Sequence, residues 1–193
     1  MAKILVTGSN GFAGRYVTEA LVRHGHEVIG LAKNRAIHPN AVLSENHLID
    51  LTDQTALMAL VSSVQPDQVV HLAAISFVAH DRAEDIYTNN VIGTRNLLEA
   101  LAQLDNFHGP LLMVSSANVY GGATAGMVSE TALTMPANDY GLSKLAAEHL
   151  TRIYHARVPS IVVRPFNYTG VGQPDHPRGS KRPQRFNRFR RGR

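Results

Sequence analysis

The chain has 193 residues, which is enough for one domain with a hydrophobic core and too few for two. Hydrophobic residues make up 44% of it and it has no cysteine, which excludes a disulfide framework and a thiolate metal site. The formal net charge of +4 comes from residues 174–193, which carry eight of the 19 Lys and Arg but one of the 15 Asp and Glu, so the rest of the chain is mildly acidic.

Strand and helix patterns alternate along residues 1–173. Short apolar segments predict buried strands at 3–7, 26–32, 68–74, 110–116 and 160–165. Helical periodicity predicts helices at 12–23, from about Thr52 with Thr52 or Asp53 as its cap, at 83–104, and at 139–156 with Asn138 or Asp139 as its cap. This alternation predicts an α/β fold, a Rossmann-type doubly wound parallel sheet.

A glycine-rich turn joins the first strand to the first helix in the segment VTGSNGFAG. Glycine lets the backbone turn tightly and approach a phosphate, and a helix N-terminus favours negative charge. The turn therefore predicts a dinucleotide cradle, although an ordinary glycine-rich turn would look similar. The candidate cofactor contacts in it are Gly8, Asn10, Gly11, Phe12 and Gly14.

The second strand ends in GLAKNRA, without the acidic residue that often binds the ribose hydroxyls of NAD. Lys33 and Arg35 stand there instead, and cations at this place suit the 2′-phosphate of NADP. Solvated loop charges are the alternative. The sequence predicts NAD or NADP as cofactor, with NADP slightly favoured.

Two further segments carry candidate catalytic groups. Ser115 and Ser116 end the fourth predicted strand, where ligands bind in open α/β sheets, although serine is also a common turn residue. Tyr140 and Lys144 are four positions apart on a predicted helix and therefore share a face. A neighbouring cation lowers the pKa of a phenol, which would make Tyr140 a usable acid or base, whereas an isolated pair of this kind is more often a surface feature.

These segments occur together and in order with DL at 50–51, HLAA at 71–74, NNVIGTRNLLEA and RPFN at 164–167. Over about residues 1–173 the chain resembles the extended short-chain dehydrogenase/reductases, in particular the NAD-dependent epimerase/dehydratase family that acts on nucleotide sugars. The resemblance implies that Tyr140 exchanges a proton with the sugar, that Lys144 lowers the phenol's pKa and holds the nicotinamide ribose, and that Ser116 completes a triad.

The resemblance implies further contacts. The residues expected beside the cofactor are Asp50, Leu51, Leu72, Ala73, Ala74, Pro165 and Phe166, in addition to Tyr140 and Lys144. The residues expected beside the substrate are Ser76, Asn118 and Asn167. Asn90 lies in the long helix that often joins a dimer interface in this family, so we expect a homodimer through the long helices.

The reaction is narrowed by Asn118. The 4,6-dehydratases that the chain resembles usually have an acidic residue there, and asparagine cannot take a proton from carbon as a carboxylate does. The segment RPFNYTGVGQ looks most like the 4-keto-6-deoxy-sugar reductases, particularly those for GDP-4-keto-6-deoxy-mannose. We therefore expect NAD(P)H-dependent reduction of a GDP-linked 4-keto-6-deoxy sugar, with a 4-epimerase or a 4,6-dehydratase as the alternative.

The C-terminal segment PRGSKRPQRFNRFRRGR departs from the family pattern. Basic residues with Phe186 and Phe189 could bind nucleic acid, or form an interaction arm, but we favour a shifted reading frame or truncation. We expect a disordered or non-native tail at 174–193, no nucleic-acid partner and no usual C-terminal substrate-binding portion. A cofactor-binding remnant without turnover is therefore a second possibility.

Localisation and metal content complete the expectations. No apolar run reaches the roughly 18 residues of a membrane span. MAKILVTG enters a strand at once, without the apolar segment of a signal peptide, so we expect a cytoplasmic protein without membrane contact. The ten histidines show no metal-ligand spacing, so we expect no metal site.

Overall fold

The computed structural model describes residues 1–35, 43–76, 82–121 and 127–168, together with Gly170, Val171 and Gln173. Six strands form one parallel sheet: β1 Lys3–Thr7, β2 Glu27–Ala32, β3 Glu45–Leu48, β4 Gln68–His71, β5 Leu111–Val114 and β6 Ser160–Val163. Their order is β3-β2-β1-β4-β5-β6, so the direction of winding reverses between β1 and β4. That reversal is the switch point where doubly wound sheets bind dinucleotides.

Five α-helices connect the strands: α1 Phe12–Arg23, α2 Gln54–Val64, α3 Ala83–Tyr87, α4 Gly93–Ala102 and α5 Asp139–Tyr154. A π-helical segment, Thr88–Ile92, joins α3 to α4, and a 3-10 turn, Ala117–Tyr120, follows β5. The predicted caps of the second and last helices are resolved as Asp53, which accepts from the Ala56 N–H, and Asn138, which accepts from the Gly141 N–H.

The predicted fold class is confirmed, with one strand more than expected in the described residues. The missed strand is β3, whose sequence ENHL is polar and largely exposed. It lies at the sheet edge and pairs with β2 through the backbone, so it needs no apolar alternation. The predicted long helix at 83–104 is present, but the π-helical segment interrupts it.

Two apolar clusters cover the two faces of the sheet. The larger one packs side chains of α2 and α4 against the sheet around Leu5, Leu31, Leu57, Leu97 and Leu111, all of them buried. The smaller one packs Val17 and Leu21 of α1 against Ile4, Val6 and Val28. Strands buried on both faces are typical of a parallel sheet, and this packing aligns the carboxyl ends of β1, β4 and β5 along one edge.

The predicted tail, residues 174–193 with Phe186 and Phe189, lies outside the described residues. Within the part of the chain that is described, no helix is long and apolar enough to span a membrane.

Candidate active site

The glycine-rich turn after β1 leaves the start of α1 open. Gly8 has φ +73° and donates its N–H to the Leu31 carbonyl at 2.7 Å. The Gly11 N–H closes the turn on the Gly8 carbonyl at 2.9 Å, and α1 begins at the next residue. No side chain caps Gly11, and the first turn of α1 holds no acidic residue. The backbone N–H groups of that turn therefore suit a phosphate ligand.

Two of the glycines are required by close backbone contacts. A Cβ at Gly8 would lie 2.8 Å from the backbone nitrogen of Ala73, and the positive φ would strain any other residue. A Cβ at Gly14 would overlap the Gly8 carbonyl oxygen and lie 2.7 Å from that of Ser9. The turn is therefore shaped by backbone alone, as a pyrophosphate cradle requires.

Replacing Gly14 with alanine should weaken nucleotide binding by at least about tenfold, because the new methyl group forces the Gly8–Ser9 carbonyls out of the cradle. Fluorescence titration with NADH and NADPH measures this. Gly25→Ala is the matched control, since Gly25 has a positive φ but open space around it, and the variant loses stability without touching the cradle. Equal affinities for Gly14→Ala and the parent would show that nucleotide does not use this turn.

The adenine end of the predicted site contains an ion pair. Lys33 Nζ lies 2.7 Å from Asp50 Oδ2, and the two side chains are 56% and 29% exposed. Burial raises the pKa of Asp50, but the Lys33 and Thr52 hydrogen bonds outweigh it and hold that pKa below its usual range. Arg35 is exposed. Asp50 therefore already neutralises one of the two cations predicted to read a 2′-phosphate.

Asn10 joins the cradle to the neighbouring loops. Its Nδ2 donates to the Asn34 carbonyl at 2.7 Å, and its Oδ1 accepts from Asn46 Nδ2 at 3.1 Å. Both ends of this predicted cofactor contact are therefore bonded within the protein. Asn10 fixes the turn, and its backbone is the part left to face a ligand.

The three predicted catalytic residues gather at the end of β5. Ser116 is buried, precedes the 3-10 turn, and lies near enough to the Tyr140 phenol for its hydroxyl to lower the phenol's pKa. Tyr140 lies in the first turn of α5 and is 9% exposed. Lys144, one turn later, is 3% exposed and donates from Nζ to the Val114 carbonyl at 2.9 Å. Tyr140 and Lys144 are thus buried groups rather than surface features.

The pKa of Tyr140 differs from the expectation. Burial raises the pKa of its phenol above the ordinary value, the Ser116 hydroxyl acts in the opposite direction, and the nearby Tyr168 adds to the rise. Lys144 bonds the Val114 carbonyl instead of the phenol, and burial lowers its own pKa to about 8 against the attraction of Glu148. The predicted lowering of the phenol's pKa by Lys144 is therefore wrong for this arrangement, because desolvation dominates both groups.

A buried histidine connects the cradle with the long helix. His71 ends β4, is 1% exposed, and bonds Thr7 Oγ1 through Nδ1 at 2.7 Å and Thr94 Oγ1 through Nε2 at 2.9 Å. Thr94 gives its proton to the Asn90 carbonyl, so it accepts from His71, which must carry its proton on Nε2. Burial first, and then the charge of Lys144, lowers the pKa of His71 to about 3.

Asn90 in the π-helical segment connects two other parts of the chain through buried hydrogen bonds. It is 1% exposed, accepts from the Ile75 N–H at 2.8 Å, and donates to the Ile75 carbonyl and to Ser143 Oγ. It therefore ties the loop after β4 to α5, next to Lys144. The Asn90 side chain is thus bonded within the chain, and the expected dimer through the long helices stays a prediction.

The remaining predicted cofactor contacts surround the same sheet edge. Leu72 and Ala73 donate N–H groups to the Thr7 carbonyl and hydroxyl oxygens, and Ala74 follows them. Leu51 packs against Gly93. A Cβ added at Gly93 would lie 2.9 Å from the Leu51 Cβ. The Pro165 carbonyl accepts from the Ala117 N–H at 3.0 Å, which places Pro165 beside the catalytic turn.

Phe166, Asn167 and Ser76 are not gathered with the catalytic triad by any contact of the described residues. Phe166 is 58% exposed and lines a cavity of about 500 Å³ at the β6 edge with Tyr120, Glu130, Arg152 and Arg164. Asn167 is exposed after β6, and Ser76 is exposed after β4. Their predicted contacts with the nicotinamide or the sugar stay predictions.

Tyr168 was missed by the sequence reasoning. Its ring stacks on Phe12 with centroids 6.0 Å apart and an interplanar angle of 15°, and when ionised it would disfavour ionisation of Tyr140. It therefore packs on the first residue of α1 while remaining half-exposed. The only sequence signal was an aromatic residue directly after RPFN. Among the residues that the structure describes, no group of His, Asp or Glu could hold a metal ion.

Comparison with curated proteins identifies relatives that act on nucleotide sugars. The chain is 35% identical over 172 residues to GDP-6-deoxy-D-talose 4-dehydrogenase of Aggregatibacter actinomycetemcomitans, covering 89% of this chain and 54% of that one. It is 35% identical over 182 residues to GDP-6-deoxy-D-mannose reductase of Pseudomonas aeruginosa, with 90% and 54% covered. The chain spans about half the length of the curated relatives it matches.

Solved structures have the same fold. A protein of Burkholderia cenocepacia J2315, provisionally described as an epimerase, is 42% identical with a TM-score of 0.83, and 90% of this chain and 57% of that one are covered. UDP-glucuronic acid 4-epimerase of Bacillus cereus, in complex with UDP-glucuronic acid and NAD, is 31% identical with a TM-score of 0.72, covering 84% and 55%. The model of the NAD dependent epimerase/dehydratase family matches residues 4–193. The chain therefore belongs to the NAD dependent epimerase/dehydratase family.

Proposed function

We propose that this chain carries the cofactor-binding and proton-transfer part of a nucleotide-sugar oxidoreductase that reduces a GDP-linked 4-keto-6-deoxy sugar with NAD(P)H. The observation that carries the proposal is the meeting of Ser116, Tyr140 and buried Lys144 at the sheet edge that also holds the glycine cradle. A GDP-6-deoxy-D-mannose reductase and a GDP-6-deoxy-D-talose 4-dehydrogenase among the relatives support the choice of sugar.

The cradle suits a dinucleotide, since a Cβ would fill it at Gly8 and Gly14 and no side chain caps α1. When bound, the reduced nicotinamide supplies hydride to the carbonyl carbon of the substrate. The Tyr140 phenol gives its proton to the sugar oxygen, and the raised pKa of that phenol keeps it protonated for this role. Ser116 holds the same oxygen by a hydrogen bond, and Lys144 holds the cofactor ribose.

The acid at residue 140 suits a reduction. A phenol with a raised pKa is a donor at neutral pH, as reduction of a ketone requires, whereas an oxidation would start by removing a proton. Asn118 adds to this because it has no carboxylate with which to eliminate water. A 4-epimerase is the alternative, supported by the likeness to UDP-glucuronic acid 4-epimerase.

Cofactor preference and assembly are finer parts of the proposal. Lys33 and Arg35 after β2 favour NADP, although the Lys33–Asp50 ion pair must open before Lys33 can serve a 2′-phosphate. We therefore expect NADPH to bind only slightly better than NADH. A cytoplasmic homodimer that uses exposed surface of the long helix remains a prediction, which size-exclusion chromatography with light scattering would test.

The test begins with fluorescence titrations of the 193-residue protein with NADPH and NADH, followed by assays with GDP-4-keto-6-deoxy-mannose. A reductase consumes one NADPH per sugar, whereas an epimerase interconverts sugars without net consumption. Tyr140→Phe should bind NADPH as the parent does and lose turnover by about 100-fold. Binding without any turnover would overturn the reductase proposal in favour of a cofactor-binding remnant, and absence of nucleotide binding by the folded protein would overturn both.

A further inference from the structure

Asn118 and Ser116 form a short hydrogen-bond chain with a defined direction. The Asn118 backbone N–H donates to Ser116 Oγ at 3.2 Å, and the Asn118 amide Nδ2 donates to the same oxygen at 3.0 Å. A serine hydroxyl has two acceptor lone pairs and one proton. Two N–H donors from one residue therefore occupy both lone pairs of Ser116 and leave its proton as the only group it can offer.

The Tyr140 phenol is near enough to Ser116 for the serine hydroxyl to lower its pKa, and the start of α5 packs on the 3-10 turn, where a Cβ on Gly141 would lie 2.7 Å from the Asn118 carbonyl oxygen. Since the lone pairs of Ser116 are taken, the serine donates and the phenol oxygen accepts. A phenol that accepts from Ser116 keeps its own proton for another oxygen. The three residues are held in place, because Ser116 caps the 3-10 turn and Tyr140 lies in the first turn of α5.

We propose that Asn118 is a positioning residue that points the Ser116 proton toward Tyr140 and so sets the direction of proton donation, from Asn118 through Ser116 and Tyr140 to the substrate oxygen. No N–H or O–H bond of Asn118, Ser116 or Tyr140 is broken until Tyr140 gives its proton to the sugar oxygen. The sequence assigned Asn118 to the substrate, whereas its amide is bonded to Ser116. The meaning for catalysis rests on the proposed reductase; the direction of the hydrogen bonds does not.

An acidic residue at position 118 would reverse the direction of these hydrogen bonds. An ionised carboxylate has no proton to donate and would accept the proton of Ser116, which would then turn away from the phenol. The Asn118 amide therefore has a role of its own besides the absence of a carboxylate. It supplies the donor that a carboxylate lacks, and it commits Ser116 to stabilise negative charge on the phenol or on the substrate oxygen.

The test measures the acidity of residue 140 directly and needs neither cofactor nor substrate. All six tyrosines are replaced by 3,5-difluorotyrosine, whose fluorines lower the phenol pKa into the range where the protein stays folded. The fluorine NMR signal of residue 140 is assigned with Tyr140→Phe and followed against pH. Asn118→Leu should raise its titration midpoint by about 0.5 to 1 pH unit, because the Ser116 proton is no longer directed to the phenolate.

Asn118→Ala repeats the measurement in case leucine disturbs the 3-10 turn, and Asn106→Leu makes the same change at an exposed position between α4 and β5. The decisive arm adds Ser116→Ala, in which Asn118→Leu should cause no further shift if it acts only through the serine. A lowered midpoint in Asn118→Leu would mean that the amide accepts from Ser116. An unchanged midpoint, or an equal shift without Ser116, would also overturn the proposal.

Nucleotide titrations of the same variants separate the two proposals. Asn118→Leu should keep the parent's NADPH affinity, since Asn118 bonds Ser116 and lies outside the glycine cradle. If the parent protein does not bind nucleotide, the proposed reductase is wrong, and the fluorine titration still decides the direction of the hydrogen bonds. If the parent binds nucleotide and turns over substrate, but Asn118→Leu leaves the titration midpoint of residue 140 unchanged, only the proposed role of Asn118 is wrong.

Discussion

Replacing Arg164 with leucine is expected to lower the free energy of unfolding by about 3 to 5 kcal/mol. Arg164 follows β6 and binds Glu148 of α5 through two parallel contacts, Nε to Oε1 at 2.9 Å and Nη2 to Oε2 at 2.7 Å. Glu148 is 1% exposed and also accepts from the Ser115 hydroxyl. Loss of the guanidinium would leave this carboxylate buried without its hydrogen-bonded counter-charge, which is the costly way to break such a pair.

The pKa values of the two groups support this pairing. Burial raises the pKa of Glu148, but the hydrogen bonds from Arg164 and Ser115 outweigh it and hold that pKa below its ordinary value. The hydrogen bond with Glu148 raises the pKa of Arg164 against the effect of burial. Arg164 also donates from Nη1 to the Tyr120 hydroxyl at 2.8 Å, so one side chain fastens α5, β6 and the catalytic turn together.

Urea denaturation of Arg164→Leu and of Arg164→Leu/Glu148→Leu measures the effect. The double variant should be more stable than the single one, because it no longer buries an unpaired charge. Arg95→Leu is the matched control: Arg95 lies 2.9 Å from Glu99, but its side chain is 56% exposed, so its loss should matter far less. Equal losses for Arg164→Leu and Arg95→Leu, or a less stable double variant, would contradict the account.

Ser115 and Ser116 show why the sequence could locate the site without dividing its roles. Both directly follow β5, and sequence alone offered either one as a polar group at the ligand edge. In a strand successive side chains alternate in direction, so the two serines face opposite sides. Ser115 binds Glu148 and belongs to the structural pair, whereas Ser116 faces Tyr140. The choice depends on what α5 presents to each serine.

The parts of the fold that could be predicted are those that depend on local sequence patterns. β1 and α1 have the predicted limits, because an apolar run, a glycine turn and a helical stripe each have a distinct period. β3 could not be predicted, since ENHL is held by backbone pairing with β2 at the sheet edge. The pKa of Tyr140 could not be predicted either, because it is raised mainly by burial, which depends on how distant segments pack.

The sequence placed His71 in a strand, and the structure shows in addition that its buried imidazole should make the stability of the protein depend on pH. Its imidazole is hydrogen-bonded at both nitrogens, to Thr7 and Thr94. A second proton on Nδ1 would face the hydroxyl that already donates to it, in an interior where charge is disfavoured and Lys144 is close. Protonation therefore weakens this part of the sheet edge, where Gly8 and the end of β4 are in close contact.

Acidification should destabilise the protein through His71 by about 2 kcal/mol between pH 6.5 and pH 5, and by about 4 kcal/mol by pH 3. The folded pKa of about 3 lies below the ordinary 6.5, so the unfolded chain binds one more proton in this window. Stability therefore rises with pH through the window and is lost as pH falls. Glu148 and Asp50, whose pKa values are lowered, add their own losses at more acid pH.

The measurement compares the urea-derived free energy of unfolding of the parent with that of His71→Gln at pH 7.5, 6, 5 and 4. Glutamine can accept from Thr7 or donate to Thr94 and carries no titrating group. We expect the variant to be less stable at pH 7.5 and the difference to shrink by about 1.4 kcal/mol per pH unit below pH 6.5, since only the parent binds an extra proton at residue 71 when it unfolds. His149→Gln, at an exposed position of α5, controls for the loss of one imidazole. Parallel pH profiles for the parent and His71→Gln would mean that His71 takes up its proton in the folded state as readily as in the unfolded chain, and the neutral bridge between Thr7 and Thr94 would then be the wrong description of this sheet edge.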